Sequence, residues 1–235
     1  MWKSAARLAR MEIRRKACEF LFSGAVTVFY TILMTNLLQD VSEDASNGVL
    51  VDVLFLLLSM IQGMTMNISH AGYWKTRPYT AKLKWMKSLP VTDREITGSR
   101  FLVLGVTLLW NLLVFYISLL FLSRAPEGGL TGGYGLAFVA LWLWAPLLIG
   151  ACCAYFELVM KEKNYLILIS VLTVVIITVP VLLGKGGDPT LVALSYRLLD
   201  AYGGGVVLAA LAAAAVGTYA FYRSSIIGLG KRDLR

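Results

Sequence analysis

The chain has 235 residues, 58% of them hydrophobic and only 15% charged, with a formal net charge of +8. A soluble domain carries about a quarter charged residues, and apolar runs of about 20 residues are long enough to cross a bilayer. Composition therefore excludes a water-soluble fold, and Cys18, Cys152 and Cys153 are too few and too poorly spaced for a disulfide framework.

An all-α polytopic membrane protein is expected, organised as one transmembrane unit over 1–235: an arm over 1–19, six spans within 20–222 and a tail over 223–235. The arm, WKSAARLARMEIRRKACEF, places Lys3, Arg7, Arg10 and Arg14 on one helical stripe and Trp2, Ala5, Ala9 and Ile13 roughly opposite. Such a basic amphipathic helix lies along a membrane surface, either as a simple anchor or as a platform for a soluble partner. The first span runs from Phe20 to Leu38, too long and too poorly followed by small residues for a cleaved signal peptide. Ser23, Thr27, Thr31 and Thr35 are spaced by four along it. They share one face, where hydroxyls either bond back to their own helix or line a substrate path or a seam with a second subunit. The second span, Val49 to Ile68, adds Ser59, Gln62, Gly63, Asn67 and, just past its end, His70 at steps of three or four, a second polar face for the same candidate path or seam, with Asp52 near its outer end. An amide in mid-bilayer needs a partner or water.

Between spans two and three lies the most polar stretch of the chain, KWMKSLPVTDREITGSR. A helix over about Tyr79 to Leu89 should stop at Pro90, which has no N–H to continue it. Thr92-Asp-Arg-Glu95 is a capping box that starts the next helix. The expected result is a helix–elbow–helix bearing Lys82, Lys84, Lys87, Arg94 and Arg100, with Trp85, Met86 and Leu89 as an apolar patch. Span three follows to Leu122. Span four runs from Gly135 to Met160, with Pro146 as a kink and Glu157 near the inner end. Span five runs from Tyr165 to Leu183. A short outer helix is expected within Thr190 to Gly205. Span six covers Val206 to Tyr222 and carries the small-residue stripe Gly205, Ala209, Ala213 and Gly217, read as packing. Intramembrane acids are functional until shown otherwise, but the positions of Asp52 and Glu157 near the interfaces weaken a proton-relay role for either.

The alternating spans put 19 of the 22 Lys and Arg residues on one side. By the positive-inside rule both termini are expected to be cytoplasmic, in the plasma membrane. The charge is thus a topology signal, and no nucleic-acid partner is expected.

The layout, the basic arm and the phrase Ser88-Leu-Pro-Val-Thr-Asp-Arg-Glu-Ile96 resemble the permease subunits of type-2 ATP-binding-cassette (ABC-2) transporters. The resemblance implies that the arm and elbow contact an ATPase subunit, through Arg7, Arg10, Arg14, Trp85, Leu89, Pro90, Asp93, Arg94 and Glu95. It also implies that two permeases, identical or paralogous, pair around a translocation path, and that the direction is export. The chain lacks a phosphate loop: Gly228-Leu-Gly-Lys231 continues with Arg232 and has none of the remaining motif. ATP and Mg would then be bound by the partner, with no cofactor or metal held directly. A membrane enzyme is disfavoured, since there is one histidine, no Gly-x-Ser-x-Gly elbow and no His-Glu-x-x-His. An ion-coupled carrier or a non-transporting membrane scaffold is the alternative.

Overall fold

The computed structural model describes residues 2–40, 45–63, 78–122, 133–185 and 190–232. Every element among them is an α-helix: α1 (Trp2–Arg15), α2 (Ala17–Asp40), α3 (Ala45–Gly63), α4 (Pro78–Ser88), α5 (Asp93–Leu122), α6 (Gly133–Trp142), α7 (Trp144–Val159), α8 (Glu162–Lys185), α9 (Leu191–Tyr202) and α10 (Gly204–Lys231). Five stretches of the described residues are long and apolar enough to cross a membrane: Ala17–Asn36, Asp93–Phe121, Leu136–Val159, Lys163–Gly184 and Gly204–Lys231. Gly48–Gly63 is a shorter apolar helix packed among them.

Two expected boundaries move. The tail is not a separate segment after Tyr222, because α10 continues to Lys231. No proline interrupts it, and its last turns have something to bury against: Leu229 is fully buried with Leu83, Met86, Ile96 and Leu158. Span four is two helices meeting at Leu143. Pro146 has no N–H to offer the Trp142 carbonyl, so the helical hydrogen-bond ladder is interrupted there. Pro180, by contrast, sits inside an unbroken α8.

α3 is the hub. It packs against α2, α5, α7 and α8. Its crossing with α7 is at backbone contact, because a methyl group on Gly63 would meet the Pro146 carbonyl oxygen at 2.6 Å, and one on Gly150 would meet the Gly63 oxygen at 2.7 Å. Small residues let membrane helices approach in this way. Around the far half of α3, Phe55 and Val51 join Met34, Phe115, Phe138 and Trp142 in the main core. The outward faces of α8 and α10 are apolar and exposed, as at Val174, Leu182, Leu208 and Val216, as helices in contact with lipid are.

The arm is a helix, but it does not present its apolar residues to open surroundings. Ala5, Leu8, Ala9 and Glu12 are buried against α5, while Trp2 remains 59% exposed. The apolar stripe is thus shifted by part of a turn from the expected Trp2–Ile13 line. A turn at Lys16 separates the arm from α2.

Candidate functional site

At the arm end of the bundle, five elements are tied by buried charge. Glu12 of α1 accepts from the Lys82 ammonium of α4 at 2.6 Å. It also lies 3.7 Å from Lys16 Nζ and 3.7 Å from Arg100 Nη1. Arg100 of α5 donates through Nε to Glu157 Oε2 of α7 at 2.8 Å. After α10, Arg232 donates to the Leu158 carbonyl at 2.8 Å and to the Thr80 hydroxyl at 3.2 Å. Lys87 reaches the Leu229 carbonyl at 3.0 Å. Burial pushes the Glu12 carboxyl up, but Lys82, Arg100 and Lys16 together outweigh burial and hold it at about 2. Burial, and then repulsion from Arg100 and Lys82, pulls Lys16 down. Glu157 is therefore an ion-pair partner, and a proton-relay role has no support in its geometry.

The elbow is locked into the same block. α4 stops at Ser88, and α5 begins at Asp93. Both halves of the capping box are present: the Thr92 amide donates to Glu95 Oε2 at 2.9 Å, and the Glu95 amide donates to the Thr92 hydroxyl at 3.4 Å. Lys87 lies 3.7 Å from Asp93 across the bend. Met86 is not part of an exposed patch. It is buried with Leu83 and Ile96, leaving Trp85 exposed, Leu89 half-buried and Pro90 exposed. Arg7, Arg10, Arg14 and Arg94 all face outward, with Asp93 and Glu95 partly covered. The block therefore has a packed inner side and a basic outer side.

The hydroxyl stripe points inward. Thr27 and Thr31 are 0% exposed, and each donates to the carbonyl four residues earlier, at 2.9 and 2.8 Å. Thr35, half-buried, does the same to Thr31 at 3.0 Å. Ser23 donates instead to Asn111 Oδ1 of α5 at 3.0 Å, and Asn111 donates to the Gln62 carbonyl of α3 at 3.4 Å. Ser23, Thr27 and Thr31 are thus held inside the chain and do not form a face offered to a second copy. Ser59 bonds back to the Phe55 carbonyl at 2.8 Å. Ser59 and Gln62 line a cavity of about 20 Å³ beside Trp142. Asn67 lies outside the described residues.

No protein-family model, curated protein or solved structure matches this chain.

Three residues matter more than their sequence context announces. Asn111 is a lone amide in the apolar run TLLWNLLVF. That placement is a signal in itself, since an unpaired amide is costly at that depth. Asp52 accepts from the Leu191 and Val192 amides at 2.5 and 2.9 Å, while Thr190 accepts from Ala193 at 3.2 Å. It satisfies the first turn of α9 from another helix, a structural role that only the tertiary fold reveals. Trp142 joins Phe55 at 5.1 Å and Phe138 at 6.2 Å between ring centroids, and Phe138 stacks on Tyr196 of α9 at 4.7 Å.

Proposed function

We propose that the chain is the membrane-spanning permease subunit of an ATP-driven exporter of the ABC-2 type. It crosses the plasma membrane six times with both termini cytoplasmic, pairs with a second permease, and takes its power from a separate ATPase subunit. The observation that carries this reading is the arm-end block. Its inner side is stitched to α5, α7 and α10 by Glu12, Lys82, Arg100, Glu157 and Arg232. Its outer side exposes Arg7, Arg10, Arg14, Trp85 and Arg94. A protein surface pressed against those residues would displace α1 and α4 only by moving the spans with them. A purely interfacial anchor has no need of that rigidity.

The mechanism follows from the same geometry. ATP-driven closure of the partner would load the elbow, and α5 would carry the displacement along its length. The glycine crossing of α3 on α7 and the hinge at Leu143 are where helices can slide or bend. The exposed stripe Gly205, Ala209 and Ala213 on α10 suits close approach by a helix of the second permease. The test reverses charge on the outer side only. The variant Arg7→Glu, Arg10→Glu and Arg94→Glu should insert and fold like the parent, yet lose its ATPase subunit on affinity purification. Unchanged association would remove this surface from the coupling interface.

A further inference from the structure

α9 is a short helix at the end of the bundle remote from the arm, where α10 begins. It packs on α3, α6 and α10, yet only Val192 and Leu199 of its 12 residues are buried. Leu194, Tyr196 and Tyr202 are exposed. A helix of this length is marginal in isolation, and an element with so few buried apolar contacts opens readily, so its hold depends on its ends. At the first turn, Asp52 of α3 accepts from both the Leu191 and the Val192 amide, and hydrogen bonds to a carboxylate are of the strong kind. Gly48, one turn earlier on α3, lies against Thr190: a β-carbon there would meet Thr190 Cγ2 at 2.7 Å. The other end is a joint. Gly203 both closes α9 and opens α10, at φ 56° and ψ −143°, a conformation that strains any residue but glycine. A β-carbon on Gly203 or Gly204 would meet nothing within 4 Å, so no neighbour braces the joint. α9 is thus gripped at one end and free to pivot at the other. It covers the aromatic part of the main core: Tyr196 stacks on Phe138, and Val192 and Leu199 pack with Met34, Phe55 and Trp142.

We propose that α9 is a door at this end of the bundle, latched by the Asp52 carboxylate and hinged at Gly203. Opening breaks the two hydrogen bonds to Asp52 and the Phe138–Tyr196 stack, and turns α9 about Gly203. It uncovers Phe55, Phe138 and Trp142, while α3, α7 and α10 keep their own packing. A carboxylate suits a latch better than apolar contact does. Its hydrogen bonds weaken steeply with distance and angle, so the latch is either made or broken, whereas apolar burial fades in proportion to area. Asp52 is therefore a positioning residue that sets how often the door is open. That the door releases a transported substrate rests on the exporter reading; the latch and the hinge do not.

The test is amide hydrogen exchange, followed by mass spectrometry, on the detergent-solubilised full chain. Asp52→Ala should speed exchange across α9 about ten-fold and leave α7 and α10 as protected as in the parent. Asp52→Asn, which keeps one acceptor oxygen without the charge, should fall between the two. A disulfide supplies the converse. A β-carbon on Gly48 stands 3.8 Å from Thr190 Cβ, the separation that a disulfide spans. In a chain with Cys18, Cys152 and Cys153 changed to Ala, the oxidised pair Gly48→Cys and Thr190→Cys should return protection to α9 in Asp52→Ala, and reduction should remove it. Exchange of α9 unchanged in Asp52→Ala would overturn the latch. Exchange of α9 rising in step with α7 or α10 would overturn a door that moves by itself, as would an oxidised disulfide that protects nothing. Absence of an ATPase subunit from purified material would count against the exporter reading and leave these results standing.

Discussion

Arg100 joins two carboxylates that come from different helices. It lies against Glu157 of α7 and near Glu12 of α1, so removing it leaves Glu157 buried without its counter-charge, while Glu12 keeps Lys82 and Lys16. Such a loss costs about 3–5 kcal/mol, whereas replacing both members of a pair by apolar groups costs far less. Arg100→Met should therefore lower the detergent melting temperature markedly, and Arg100→Met with Glu157→Met should recover part of the loss. The same cluster sets an acid limit. The Glu12 carboxyl ionises at about 2 in the folded chain, against 4.5 unperturbed. Its contribution, at most about 3 kcal/mol, is complete above pH 4.5 and disappears as pH falls toward 2. Lys16 is lowered from 10.5, by burial first and then by repulsion from Arg100 and Lys82. Melting followed from pH 6 to pH 3 should show a decline that Glu12→Gln flattens. The residues of this cluster were only partly legible in the sequence. Lys82, Arg100 and Glu157 stood out as charges beside apolar runs, but nothing in the spacing tied Glu12 to Lys82 across 70 positions.

At the level of elements, local chemistry was readable wherever the chain itself carries the signal. Pro90 and the Thr92–Glu95 box ended one helix and started the next because both act within four residues. The arm's helix was legible from its periodicity. Its docking on α5 was not, because nothing within the arm shows that Ala5, Leu8 and Ala9 pack on a helix that begins at Asp93. The hydroxyl stripe showed its face but not its surroundings, since the same spacing suits a pore, a seam or a packed core. The α3–α7 crossing gives an element-scale prediction. Gly63→Ala should cost about 1–3 kcal/mol by overpacking, because the nearest atoms are backbone. Gly105→Ala on α5 has open space around it and should be neutral or mildly stabilising, by about 1 kcal/mol at most. Thermal melts of the two variants in one detergent check the difference.

For the whole molecule, the long apolar helices are those of a multi-pass membrane protein, and the exporter proposal takes the packed arm-end block as the surface that receives force. The hydrophobic pattern displayed the helices because spanning a bilayer needs length and apolarity alone. What lies outside the chain leaves no comparable pattern, since one basic face suits lipid phosphate and acidic protein alike. The most direct measurement is therefore affinity purification of the native chain from its own membranes, with mass spectrometry of the proteins retained. The exporter account predicts a stoichiometric ATP-binding subunit that survives washing and is lost with the Arg7, Arg10 and Arg94 reversals. A clean permease oligomer with no ATPase would contradict it and favour a carrier or a membrane scaffold.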